Sequence, residues 1–334
     1  MRTLRARALP ALAAGAVALL LSACGTTEEP AGAAGTPSAT GSSAPAGPVT
    51  VTDDRGTVTL DAPATRVVSL EWGLTENLLS LGVQPVGQAD TTGYNTWDTV
   101  VPLDPETPDV GTRGEPSLDA IAALDPDLVV TTTDLPEEVI AQIEKTVPVI
   151  ALQGSDASDP VGKMRRTIEL LGDATGTADA ADAELAAFDQ AVAEARTALD
   201  AAGKSGATYT MADGWIADGA VSVRMYTPGS YLGGVAGLAG LKNVWTGEGD
   251  PAYGLGVTDV EGLTDVPEGA HFLYAANDAE DDPFADGLKD NAVWEQLPFV
   301  EAGAVHRMPD GIWMFGGPRS GIAWLEAAVA AITQ

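Results

Sequence analysis

Beyond residue 48 the apolar positions of the chain follow two registers, a period of two and a period near 3.6, which keep exchanging places. Val49–Asp53 and Thr57–Leu60 alternate about Asp54-Arg55-Gly56, a hairpin pattern. Arg66–Leu70 then reads as a strand, and Leu74, Leu78, Leu79 and Leu81 mark a helix over Thr75–Leu81 that Gly82 stops before a strand at Val83–Gly87. Ser117 caps a helix over Leu118–Leu124, Asp127–Thr132 is a buried strand, Pro136–Lys145 a helix and Val147–Leu152 another strand. Asp159-Pro160 opens a helix through Leu171 to Gly172, and Asp179–Ala201 carries Leu185, Phe188, Val192 and Leu199 on one stripe. The alternation resumes after residue 206, with strands at Ala207–Met211, His271–Ala275 and Ala304–Met308 and helices at Tyr231–Leu238, Val293–Leu297 and Gly321–Ile332. Strands separated by helices make parallel sheets. The predicted fold is α/β: two Rossmann-like lobes with parallel sheets, 49–158 and 175–334, joined by one long helix at 159–174. The halves echo each other, since Leu118-Asp119-Ala120-Ile121 before one strand parallels Val260-Glu261-Gly262-Leu263 before another. A cleft between two such lobes is the default ligand site.

The first 48 residues follow neither register. Arg2, Arg5 and Arg7 precede an apolar run, Ala8–Leu21, that has the length of a signal-peptide core and is short for a membrane span. It ends in Leu21-Ser22-Ala23-Cys24, which resembles the lipobox of bacterial lipoproteins. Residues 1–23 are therefore expected to be a signal peptide and Cys24 a lipidated N-terminus. Gly25–Pro48 is almost wholly Gly, Ala, Ser, Thr and Pro, a flexible tether. The expected location is the outer face of the cell membrane, held by a lipid anchor.

Composition narrows the chemistry. A formal charge of −31 excludes nucleic acid as a partner. The one cysteine excludes a disulfide framework and cysteine-rich metal sites. Gly203-Lys204-Ser205 lacks the leading glycine and the preceding strand of a phosphate loop, and no Gly-x-Ser-x-Gly elbow occurs. His271 and His306 both lie in apolar strands and read as structural. No catalytic residue and no metal ligand is assigned, and an enzyme is not expected; a lipoprotein hydrolase built on an unflagged carboxylate pair is the alternative of another class.

What remains is a set of aromatics placed between elements: Trp72, Trp97, Tyr253, Trp313 and Phe315. Loops at the carboxyl ends of parallel strands line ligand crevices, and aromatics there give rigid apolar walls. Each alone could equally close its own lobe's core. Arg113 sits in the Gly-rich turn Gly111-Thr112-Arg113-Gly114-Glu115-Pro116, where its guanidinium either forks onto paired ligand oxygens or pairs with Glu115.

Arg66-Val67-Val68-Ser69-Leu70-Glu71-Trp72, Leu81–Gly87, Gly111–Leu118, Asn243–Glu248 and Leu297–Gly303, in that order, resemble successive segments of ferric-siderophore binding proteins, the substrate-binding subunits of iron-uptake ABC importers, closest to the ferric-hydroxamate type. The resemblance runs from about residue 60 to the end. It implies a periplasmic binding protein of the helical-backbone metal-receptor type, monomeric, with limited lobe motion. It also implies an iron chelate held in a shallow aromatic cleft, so that the protein needs no cofactor of its own. It carries the chelate-contacting arginine onto Arg113 and the matching aromatics onto Trp72, Trp97, Tyr253, Trp313 and Phe315. Asp119 and Glu261 take the places of the acidic residues that dock on permease arginines, the permease working with its cytoplasmic ATPase. Two departures stand out: Thr131-Thr132-Thr133-Asp134 where a tyrosine is expected, and Phe315 where a tyrosine would offer a hydroxyl. Arg224 and Arg319 are candidate additional cations, which would favour an anionic ligand such as ferric citrate if they faced the cleft. Haem and cobalamin are the other ligands of the alternative reading.

Overall fold

The computed structural model describes residues 47–334; the signal peptide, Cys24 and nearly all of the linker predicted over 24–48 lie outside the described residues. The chain opens with the antiparallel hairpin β1 (Val49–Thr52) and β2 (Thr57–Leu60). Then follow β3 (Val67–Ser69), α1 (Trp72–Ser80), β4 (Gly87–Gln88), α2 (Thr91–Trp97), α3 (Leu118–Ala123), β5 (Leu128–Thr132), α4 (Glu137–Ile143) and β6 (Val149–Leu152). Their four strands form a parallel sheet in the order β4-β3-β5-β6. The cap signals hold where they were read: the Ser117 side chain accepts from Ala120 N at the start of α3. The strand expected at Val83–Gly87 shrinks to two residues, and α2 replaces the loop read around Trp97, with Asp90 as its N-cap.

Helix α5 (Pro160–Thr175) starts on the predicted Asp159-Pro160 signal and leads into α6 (Ala178–Ala201). It runs past Gly172 and stops at Gly176, which has a positive φ of 71°. Gly172 serves close approach instead: a Cβ there would lie 2.9 Å from the Ala181 Cβ, so its absence lets α5 and α6 pack tightly. The hairpin is tied to this frame by Asp53, which accepts from Ala151 N at 2.8 Å, and by Asp54, which accepts from Gln153 N at 2.7 Å.

The second lobe holds β7 (Thr208–Ala217), β8 (Ala220–Tyr226), α7 (Tyr231–Ala239), β9 (Lys242–Asn243), β10 (Leu255–Thr258), β11 (His271–Tyr274), the short turns α8 (Ala292–Glu295) and α9 (Pro298–Glu301), β12 (Val305–Arg307) and α10 (Pro318–Thr333). Strands β7, β11 and β12 pair in parallel, as expected, and the two-residue β9, not foreseen, adds to β7 in the same sense. An antiparallel arm, β7-β8-β10, extends this sheet beyond the parallel pattern. Its signal is Asp218-Gly219, both at positive φ, a two-residue hairpin turn between alternating runs.

One apolar cluster crosses from lobe to lobe: Val67, Leu78 and Val130 of the first, Ile168 and Leu171 of α5, and Tyr209, Leu232 and Trp324 of the second. Because interiors are close-packed, a shared core of this kind opposes wide opening. Two smaller clusters are each confined to one lobe, one in the second and one in the first. No helix among the described residues is long and apolar enough to cross a membrane.

Candidate functional site: an aromatic cleft between the lobes

The carboxyl ends of the strands face one another across a cleft of about 630 Å³. Trp72, Trp97 and Arg113 come to it from the first lobe, and Arg224, Tyr253, Trp313 and Phe315 from the second. The first two turns of α5 add Pro160, Lys163, Met164 and Thr167. Seven of the eight ligand-binding residues expected from sequence are thus brought together. The eighth is a correction. Arg319, on the first turn of α10, turns away and donates from Nη2 to Glu184 Oε1 of α6 at 2.6 Å. A residue placed at a helix start presents only one face to the cleft, and here that face belongs to its neighbours.

The aromatics form a ladder across the lobe boundary. Trp72 meets Trp313 edge-on at 4.8 Å between centroids, Trp313 meets Phe315 at 5.2 Å, and Phe315 meets Tyr253 at 5.4 Å. Edge-to-face pairs of this spacing are mutually stabilising and hold each ring in a set orientation. Trp72 and Trp313 are 5 % and 6 % exposed, so the rings are walls of the cleft and parts of the core at once. Local sequence explains the start of the ladder. Glu71 is the N-cap of α1, its carboxylate accepting from Trp72 N at 3.0 Å, so Trp72 occupies the first helical position facing the cleft. The Trp72 indole donates to Asp90 O at 3.2 Å, beside Gly93, where any Cβ would enter the ring.

One cation stands at the Trp72 end of the ladder and a second beside its third ring, Phe315. The Arg113 guanidinium carbon lies 3.9 Å above the Trp72 ring and 5.5 Å from that of Trp313. Its Nη1 donates to Glu71 Oε1 at 2.9 Å, so the partner is Glu71, not the neighbouring Glu115. Burial pushes the Glu71 carboxyl above its ordinary value even with Arg113 beside it. Arg224 stands 5.6 Å from the Phe315 ring and forks onto Asp213, with Nε donating to Oδ1 at 2.9 Å and Nη2 to Oδ2. The Tyr226 hydroxyl donates to the same carboxylate at 2.9 Å.

Across the cleft mouth the Tyr253 hydroxyl donates to Asp134 Oδ2, joining the lobes directly. Burial, then the Asp134 carboxylate, holds that phenol above its usual range, so it stays a donor at any working pH. A Cβ on Gly154 would overlap the Tyr253 hydroxyl. Gly154→Ala should therefore break the Tyr253–Asp134 bond and weaken ligand binding by about fivefold, roughly the worth of one hydrogen bond. An affinity for any cleft ligand equal to that of the unchanged protein would contradict this.

The chain matches the periplasmic binding protein family over residues 67–311. It belongs to that family. Among known members it is 27 % identical over 269 residues to the iron(3+)-hydroxamate-binding protein FhuD of Escherichia coli, covering 80 % of this chain and 86 % of the relative. It is also 27 % identical over 281 residues to the putative ABC transporter substrate-binding lipoprotein YhfQ of Bacillus subtilis, covering 79 % and 82 %. The crystal structure of the siderophore binding protein FhuD from Vibrio cholerae with Fe3+–Desferal bound superposes with a TM-score of 0.69 at 27 % identity, over 80 % of this chain and 98 % of that one.

In this periplasmic binding protein, sequence reading missed several cleft residues. Trp215 on the long hairpin β7-β8 lines the cleft and is 45 % exposed, and Asp213, Asp134 and Glu280 line it with carboxylates. Trp215 was legible only through the Asp218-Gly219 turn, which fixes the register of the hairpin. Asp119, in the first turn of α3, and Glu261, ahead of the short helix at Gly262–Asp265, are both exposed and lie outside the cleft. His271 and His306 meet on adjacent strands, Nδ1 to Nε2 at 3.0 Å, and satisfy each other away from the site.

Proposed function

We propose that this protein is an extracytoplasmic receptor that captures a ferric siderophore of hydroxamate type and delivers it to an ABC permease. The observation that carries this reading is the aromatic ladder Trp72–Trp313–Phe315–Tyr253, with Arg113 over its first ring and Arg224 beside its third, each already paired with its own carboxylate. Three hydroxamates neutralise Fe(III), and their chelate offers apolar flanks to the rings and paired oxygens to a guanidinium. Among the described residues Arg113 donates to Glu71 through Nη1 alone, which leaves Nε and Nη2 for those oxygens. Iron arrives inside the chelate, so no protein metal ligand and no cofactor enters the cycle, and no bond of the ligand is broken.

Ferric citrate is disfavoured. Arg319 turns from the cleft to Glu184, and Arg224 enters it paired with Asp213, so neither offers a free cation to citrate carboxylates. The names of the FhuD relatives support the hydroxamate reading, and that of YhfQ supports an ABC partner and a lipid anchor at Cys24. Asp119 and Glu261 are the proposed contacts to permease arginines. Titration of the purified domain 47–334, followed by tryptophan fluorescence, tests the ligand. Iron-loaded hydroxamates are expected to quench it and their iron-free forms are not. Quenching by ferric citrate or a catecholate chelate alone would replace this reading.

A further inference from the structure

Charges around the cleft do not cancel. Three cations line it, and each is taken by a carboxylate of the protein: Arg113 by Glu71 at 2.9 Å, Lys163 by Asp54 at 2.5 Å, and Arg224 by Asp213. Two further carboxylates line the same cleft with no cation among the described residues, Asp134 from the loop after β5 and Glu280 from the loop after β11. Asp134 receives the Thr132 and Tyr253 hydroxyls, which orient it without neutralising it. The two come from opposite lobes, and both are solvent-exposed at the rim, not buried against the rings. A chain of formal charge −31 adds a field of the same sign.

Resting on the hydroxamate reading above, we propose that Asp134 and Glu280 select a cationic chelate: a ferric tris-hydroxamate whose chain carries a free ammonium group. The iron core of such a ligand is neutral and suits the ladder. Its ammonium, one flexible chain away, reaches the rim and exchanges water for carboxylate oxygens in charge-assisted hydrogen bonds. The same rim disfavours a chelate with a pendant carboxylate, because like charges across a cleft are repulsive and the three cations are already engaged. Selectivity is thus set by groups remote from the iron, while the rings and Arg113 hold the part that every hydroxamate shares.

The test is a binding series in which only the tail changes. Ferric Desferal, with its free terminal amine, carries one positive charge; its N-acetyl form is neutral and its N-succinyl form carries one negative charge. Measured at 50 mM salt, Kd should rise about fivefold at each step, the size expected for a rim charge pair, and the spread should shrink at 500 mM salt. In Asp134→Asn/Glu280→Gln the three chelates should bind within about twofold of one another. Equal affinity of all three for the unchanged protein would overturn the proposal and leave the hydroxamate reading standing. Failure of all three to bind would overturn both, and a spread that survives the double substitution would move the selectivity to other residues.

Discussion

Replacing Glu76 by alanine is expected to lower the unfolding midpoint by roughly 6–15 °C, about 3–5 kcal/mol, the range for leaving a buried charged network without one member. Glu76 is fully buried on α1 of the first lobe, and its carboxylate accepts from Ser320 N at 2.9 Å and from Ser320 Oγ at 2.7 Å in the second. Helix α10 begins at Gly317, which has no side chain to cap it, so Glu76 supplies the negative group that the helix N-terminus favours. Ser320 Oγ in turn accepts from Trp313 N at 3.1 Å, which couples this latch to the ladder. Loss of Glu76 should therefore reduce stability and blur the cleft together. Thermal unfolding of Glu76→Ala within 2 °C of the unchanged protein would show that the latch carries no load.

A companion substitution should act in the opposite direction. Asp98 is fully buried after α2, and no N–H or O–H of a described neighbour reaches either carboxylate oxygen. Burial, then the facing Glu76 carboxylate, raises its pKa well above the ordinary range, so the fold favours the protonated form of Asp98. The sign follows. A carboxyl whose folded pKa is raised contributes stability below its unfolded value, near 4, and loses it as pH climbs through the folded value. Asp98→Asn keeps a donor toward Glu76 and no longer titrates, so it should stabilise at pH 8, change little at pH 4, and flatten the decline between. Unfolding curves of both proteins from pH 4 to 8 check this; parallel declines would remove Asp98 from the pH dependence.

Arg113→Ala is expected to weaken binding of a ferric hydroxamate by about 1.5–3 kcal/mol, roughly 10- to 150-fold, the worth of a charge-assisted fork in a partly desolvated cleft. The guanidinium carbon lies 3.9 Å over the Trp72 ring while Glu71 fixes Nη1, so the remaining donors are set in advance. Removing it also leaves the half-buried Glu71 without its partner. The pair Arg113→Ala/Glu71→Gln separates the two effects: it should keep the loss of affinity while restoring stability. An affinity in the double variant equal to that of the unchanged protein would take Arg113 out of the site.

Much of the fold was legible because its signals are short-range. Ser117 before α3, Asp159-Pro160 before α5 and the apolar runs of β5 and β6 act within one turn or one strand, and each appears where it was read. The order of strands and helices then determined parallel sheets and a cleft at their carboxyl ends, and with it the places of Trp72, Trp313 and Arg113. Charge pairing was decided elsewhere. Arg113 finds Glu71 42 positions away instead of Glu115 two positions on, Arg319 leaves the cleft for Glu184, and Glu76 reaches Ser320 across 244 positions. Coulomb attraction and desolvation depend on distance in space and on burial, and neither is a function of separation along the chain. The pattern of residues therefore determined that a binding cleft exists and what walls it, and only the packed structure decided which of its charges remain for a ligand.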